Sequence, residues 1–251
     1  MNDRNQERFL DRIQAALKRG GPARAPAVGS DRESQRAVLE RIRQRTFSDH
    51  QMLLDRLTAA AEPLNLDVIR VGDASAAARW IAGLVREKAP EWGSEKQVVA
   101  WQHPLIDRLE LSDALADQQV PVYTVGAVDP DRAERQREEI RSRVIDAYIG
   151  VTAADFCVVE SATLVLKARP GQARSVSLVP SIHVAVIERH QLIENLTELY
   201  ALLRHLPEHR SEGLTNAMTF ISGPSKTADI EAMLVHGAHG PREVHICVIA
   251  K

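Results

Sequence analysis

Phe220-Ile221-Ser222-Gly223-Pro224-Ser225-Lys226-Thr227-Ala228-Asp229-Ile230-Glu231 is the stretch whose residue types and order come nearest to a ligand site. An apolar run delivers the chain into glycine, three hydroxyls and one cation, and Ile230, Met233 and Leu234 predict a helix opening there. A strand that runs into a helix N-terminus favours an anion, because amides without intrahelical partners and the helix dipole act in the same direction. Ser222, Ser225 and Thr227 can donate to a carboxylate or phosphate, Gly223 and Pro224 shape the bend, and Lys226 adds charge. The same residues also suit an ordinary helix cap and turn with no ligand.

A second bend, His236-Gly237-Ala238-His239-Gly240-Pro241, precedes the last apolar run, and His239 beside Gly240 suits a hydrogen-bond donor on a pocket rim. With His183 it supplies three imidazoles, but metal motifs bring better-defined spacing and acidic support, so no metal is expected. Mid-chain, Asp155 and Glu160 stand near Ser161 and Thr163. A carboxylate at a turn beside hydroxyls can act as general base or nucleophile, which makes Glu160 the catalytic candidate; alternatively Asp155 caps a turn and Glu160 is solvated. G-x-G-x-x-G, P-loop, G-x-S-x-G and H-E-x-x-H patterns are all missing.

The elements that must position these residues alternate. Runs at 66–71, 97–101 and 120–125 read as strands, followed by helices that open at Asp73, Pro104 and Asp129-Pro130. Three βα units in succession predict an open, largely parallel sheet covered by helices, an α/β fold. The segment 154–167 reads as two strands and a tight connection, 169–172 as a turn, 182–187 and 244–249 as strands, and Leu192 to Leu203 as one helix. The first ~60 residues are helical by pattern. Phe9, Ile13 and Leu17 form an apolar stripe, Gly and Pro at 20–26 break it, and Ser30/Glu33 and Ser48/Gln51 read as capping boxes. The expected organisation is a helical arm over 1–62 and one α/β domain over 63–251.

Composition removes several classes. Net charge is −2 with 32 Lys+Arg against 34 Asp+Glu, which argues against a dedicated nucleic-acid binder. No run approaches the length of a membrane span and the charged N-terminus is unlike a secretory signal, so the expected compartment is the cytoplasm. The arm alone is basic, 11 Lys+Arg against 6 Asp+Glu over residues 1–47. The 2 cysteines, Cys157 and Cys247, sit in apolar runs with no C-x-x-C, so they read as buried reduced thiols, and any electron carrier for a redox reaction must lie elsewhere.

Gly150-Val151-Thr152-Ala153-Ala154-Asp155, Glu160-Ser161-Ala162-Thr163, Ser177-Leu178-Val179-Pro180-Ser181-Ile182-His183, the stretch 222–231 and His239-Gly240-Pro241 stand in that order. Together they resemble the lactate utilization protein C family, the LutC/YkgG group with its LUD domain, over roughly residues 60–250. The resemblance implies a fold similar to the NagB/RpiA/CoA-transferase-like superfamily. It also implies an accessory role beside iron–sulfur proteins in the oxidation of L-lactate to pyruvate, with the clusters on those partners and no cofactor in this chain. It marks Thr152, Asp155, Ser161, Thr163, His183, Ser222, Gly223, Pro224, Ser225, Thr227, His239 and Gly240 as ligand-binding candidates and Glu160 as the catalytic one. Family members commonly carry Thr-Gly-Thr after the Glu. Ser161-Ala162-Thr163 departs from this, and the missing glycine argues against a very close backbone approach to ligand there. A stand-alone enzyme acting on a small carboxylate, sugar phosphate or CoA ester, and a carboxylate-sensing binding module, are the other readings. Whether the chain is itself catalytic, and whether it self-associates, stay open.

Overall fold

Apolar residues at helical spacing and β-branched runs alternate along the computed structural model, which describes residues 32–91, 93–205, 217–228, 234–237 and 239–250. The expected helix at 9–17, the loop at 20–26, the Ser30 cap and residues 229–233 lie outside the described residues. Contacts divide the chain into two units, Met1–Arg43 and Gln44–Lys251. The described part of the first is α1 (Arg32–Arg43), with Val38, Leu39 and Ile42 at helical spacing.

The second unit opens with α2 (Phe47–Ala61), closed at its N-terminus by Thr46 and Asp49 in a reciprocal capping box, two residues earlier than the Ser48/Gln51 signal. Then come β1 (Asp67–Val71), α3 (Ala74–Glu87) capped by Asp73, and β2 (Val98–Trp101). The single helix expected from Pro104 is broken into α4 (Pro104–Asp107) and α5 (Leu111–Ala114), with Glu110 at φ 48° between them. Leu109 and Leu111, two residues apart, would face opposite ways on one helix; the break lets both bury with Leu105 and Leu115. The chain continues through β3 (Val122–Val125), α6 (Ala133–Asp146), β4 (Ile149–Ala153), β5 (Phe156–Val158), β6 (Thr163–Lys167), α7 (Ser175–Leu178) and β7 (Ile182–Glu188). It ends with β8 (Leu192–Ile193), α8 (Leu196–His205), β9 (Met218–Ile221), β10 (Lys226–Ala228), β11 (Leu234–His236) and β12 (Glu243–Ile249).

The main sheet has 6 strands in the order β1-β12-β7-β4-β2-β3. Every pairing in it is parallel, so the fold is α/β as the strand–helix rhythm predicts. A second, 4-stranded sheet, β8-β5-β6-β9, contains the strand pair expected over 154–167 as β5 and β6; its separation from the main sheet and its strand β8 are not foreshadowed by the sequence pattern. Leu192-Ile193, expected to begin a helix, instead pairs with β5, and Asn195 accepts the Glu198 amide where α8 starts. Cys157, Leu164, Leu192 and Ile221 of that sheet share one core with Leu53, Leu54 and Leu57 of α2 and one face of the main sheet. The opposite face is covered by α3, α4 and α5. Among the described residues no helix is long and apolar enough to cross a membrane.

The stretch after Ser222 is the clearest departure. No helix opens at Ser225–Thr227: Lys226, Thr227 and Ala228 pair antiparallel with His236, Val235 and Leu234. Thr227 and Val235, opposed in that register, are β-branched types that lose side-chain freedom in a helix and favour strands. The helix-dipole argument for an anion at this bend therefore falls away.

Candidate functional site

The predicted site residues fall into four places. The first is the turn between β5 and β6, where Val159–Ser161 forms one 3-10 turn and Ala162 follows at φ 45°, ψ 43°. This is the position where the family pattern has glycine, so the alanine carries the left-handed backbone itself, at a strain cost of about 1–2 kcal/mol. Glu160 and Ser161 are exposed and Thr163 is buried. The Glu160 amide is already bonded to the Glu194 carbonyl (3.0 Å) and the Ala162 amide to Val159 (3.3 Å), so hydroxyls and not backbone amides are what this turn offers.

Those hydroxyls form a row. Thr163 Oγ1 lies 2.8 Å from Ser161 Oγ and 2.7 Å from Ser222 Oγ, and donates to the Ser161 carbonyl (3.1 Å). With the Thr163 proton committed to that carbonyl, Thr163 Oγ1 accepts from both the Ser161 and the Ser222 hydroxyl, which holds the two serine oxygens, both on exposed residues, around one shared partner. Two serine hydroxyls from separate segments can each exchange the bond to Thr163 for one to a small acceptor group, with Glu160 next to Ser161 in the chain.

The second place is Ser225. Its amide donates to Pro241 (2.8 Å), its carbonyl accepts from Gly237 (2.9 Å), and a Cβ on Gly240 would sit 3.3 Å from the Ser225 Cβ. The two glycine-bearing bends are thus clasped together, with the Ser225 and Gly237 amides spent on that clasp. Gly223, at φ 106°, packs near Leu64, and Pro224 is buried. His239 and Gly240 border a hollow of about 380 Å³ at the amino ends of β4 and β7, lined also by Glu91, Leu178, Val179 and Ser181. None of Glu160, Ser161, Thr163 or Ser222 lines that hollow, so His239 stands apart from the hydroxyl row.

The third place is inside the sheet. Thr152 on β4 and His183 on β7 are fully buried, with Oγ1 and Nε2 2.8 Å apart and no partner for His183 Nδ1. Burial first, and the neighbouring His245 second, push the His183 imidazole down to about 3, whereas the unfolded chain titrates near the ordinary 6.5. Between those values the unfolded chain holds the extra proton, so the stability gained by keeping the ring neutral is complete above pH 6.5 and is lost as pH falls towards 3. Urea titrations at pH 7 and pH 4 should show a smaller acid-induced loss for His183→Leu than for wild type; equal losses would remove this assignment.

Asp155 is the fourth. It sits at the far end of the β5–β6 hairpin from Thr163, accepting the Lys167 amide on Oδ2 (2.7 Å) and pairing with Arg169 (2.6 Å). Nearness in sequence groups it with the hydroxyls, and nothing local points to Arg169 and His103, which meet it from separate segments. The thiols are also apart: Cys157 lies in the core on one face of the main sheet and Cys247 in the core on the other, both free. Burial pushes each thiol up to about 12, and with the sheet between them the two do not meet at one site.

Residues 54–249 match the LUD domain family, and the chain belongs to that family. It is 36% identical over 156 residues to lactate utilization protein C of Halalkalibacterium halodurans, covering 62% of this chain and 63% of that one. To the protein of the same name from an Exiguobacterium species it is 41% identical over 116 residues, covering 45% and 49%. The chain thus spans less than two thirds of the length of these relatives. A longer alignment, 98% of this chain and 96% of the other, joins it to lactate utilization protein C of Geobacillus kaustophilus at 24% identity. The fold is shared with the crystal structure of a DUF162 family protein from Deinococcus radiodurans, with a TM-score of 0.51, 18% identity, and coverage of 81% of this chain and 98% of that one.

Proposed function

We propose that this chain serves lactate utilization as a subunit of L-lactate oxidation to pyruvate that holds no redox centre of its own and works beside iron–sulfur proteins. In this reading the Ser161–Thr163–Ser222 row, with Glu160 at its side, holds a small anion. The observation that carries it is that the Ser161 and Ser222 hydroxyls, from two segments far apart in the chain, both lie within 2.8 Å of Thr163 Oγ1, and that Glu160, next to Ser161 in the chain, is exposed. The relatives' name, lactate utilization protein C, supplies the pathway. The two thiols, on opposite faces of the sheet, support a division of labour in which clusters reside on partners. The chain, tagged in its host and purified from lactate-grown cells, should bring down proteins that carry iron–sulfur absorbance. Recovery of the chain alone, together with unimpaired growth on lactate after its deletion, would dismiss the reading.

A further inference from the structure

The order of the main sheet sets β2 beside β4, and their onward connections leave in opposite directions, from β2 to β3 on one side and from β4 to β7 on the other. The connection after β2 runs over one face through α4 and α5, while that after β4 turns into the second sheet on the other. In open α/β sheets, ligands bind outside the carboxyl ends of strands at such a switch of direction.

The residues found there carry chemistry. His103 is the second residue after β2 and Asp155 the second after β4. Arg169 reaches Asp155 at 2.6 Å, and its side chain is 27% exposed. The turn that carries Arg169 is strapped across the carboxyl ends of three neighbouring strands. Ala173 accepts Trp101 Nε1 (2.9 Å) at the end of β2, and Gly171, at φ 81°, packs so closely on Ala127 after β3 that a Cβ would lie 3.0 Å from its amide. Gln191 donates to the Ala154 and Asp155 carbonyls, which fixes the end of β4. His103 Nδ1 accepts the Leu105 amide (3.1 Å), so while the ring is neutral its proton is on Nε2. Burial holds the ring below its ordinary value against the opposing pull of Asp155, while Arg169 pushes the same way as burial. His103 therefore acts near neutral pH as a fixed uncharged donor beside a guanidinium.

We infer that the crevice between the carboxyl ends of β2 and β4 is a binding site for a small monocarboxylate, gripped by Arg169 and His103 beneath the 169–173 strap. A planar carboxylate matches the guanidinium fork. A phosphate dianion is disfavoured, because Asp155 is fixed on the same guanidinium and Asp107 and Glu188 also face His103. This site stands apart from the lactate reading, which rests on the hydroxyl row.

Isothermal titration of the full chain with acetate, L-lactate and pyruvate, against inorganic phosphate, tests it in wild type and in Ser222→Ala, which silences the hydroxyl row. Saturable monocarboxylate binding should persist in Ser222→Ala. It should weaken at least about tenfold in Arg169→Gln, since the charge-assisted hydrogen bonds of the guanidinium are lost. Arg169→Lys should recover it only in part. If Arg169→Gln does not fold, Arg169→Lys decides: an unchanged Kd overturns the proposal. So would absence of monocarboxylate binding in wild type, its loss in Ser222→Ala, an unaltered Kd in Arg169→Gln, or tighter binding of phosphate.

Discussion

Gly150→Ala should destabilise the protein by on the order of 4 kcal/mol or more, enough to remove much of the stability of an ordinary domain. Gly150 lies in the middle of the main sheet, in register with Val99 on β2 and His183 on β7. A Cβ there would stand 1.9 Å from the Val176 carbonyl oxygen and 3.1 Å from Pro180 Cγ. The colliding atom is backbone, so no rotamer change relieves it; either α7 lifts off the sheet or β4 leaves its ladder. Overpacking usually costs about 1–3 kcal/mol where side chains can yield, and here they cannot. Displacing α7 would also open the sheet face that buries the Thr152–His183 pair. Urea unfolding checks this: a loss within about 1 kcal/mol would show that α7 is held loosely. The first glycine of the family-like motif is thereby explained by packing and not by ligand contact.

The second large effect lies at a doubly buried ion pair. Arg45 and Glu198 side chains are 8% and 1% exposed, with the guanidinium nitrogen 2.6 and 2.7 Å from the two carboxylate oxygens. Glu198 also accepts the Glu194 amide (2.7 Å), and the Glu194 carbonyl in turn accepts the Glu160 amide (3.0 Å). Glu198→Ala leaves the guanidinium buried without its counter-charge, and the expected loss is about 3–5 kcal/mol. Arg45→Met combined with Glu198→Leu should recover most of it, because apolar residues of similar volume remove both desolvation penalties. A double variant as unstable as Glu198→Ala would contradict this. Because the pair anchors the segment from which the Glu160 turn hangs, Glu198→Ala should also loosen the candidate site, seen as faster hydrogen exchange at the Glu160 amide.

Much of the fold is legible in the chain because it is written locally. The strands β1, β2, β3, β7 and β12 coincide with apolar, β-branched runs, and Asp73 caps α3 as its type predicts. The remainder depends on tertiary partners. Leu192-Ile193 reads as helix by spacing until β5 offers it a ladder, and Leu109 and Leu111 can both bury only if the helix breaks between them. The bend after Ser222 looks like a helix start because glycine, proline and hydroxyls serve hairpins and caps alike. In the candidate site, the Ser161–Thr163 pair is legible from adjacency and Ser222 from its place after a strand. The switch-point residues His103 and Arg169 carry no local pattern, and only the sheet order brings them to Asp155.

If the hydroxyl row serves lactate utilization, Thr163→Val in the chromosomal copy should abolish it. Valine keeps the volume at this buried position and removes the one oxygen that both serines share, at a stability cost of about 1 kcal/mol. The expected outcome is a protein present at wild-type level and a host that no longer grows on L-lactate while growing normally on other carbon sources. Normal growth on L-lactate with Thr163→Val would contradict it.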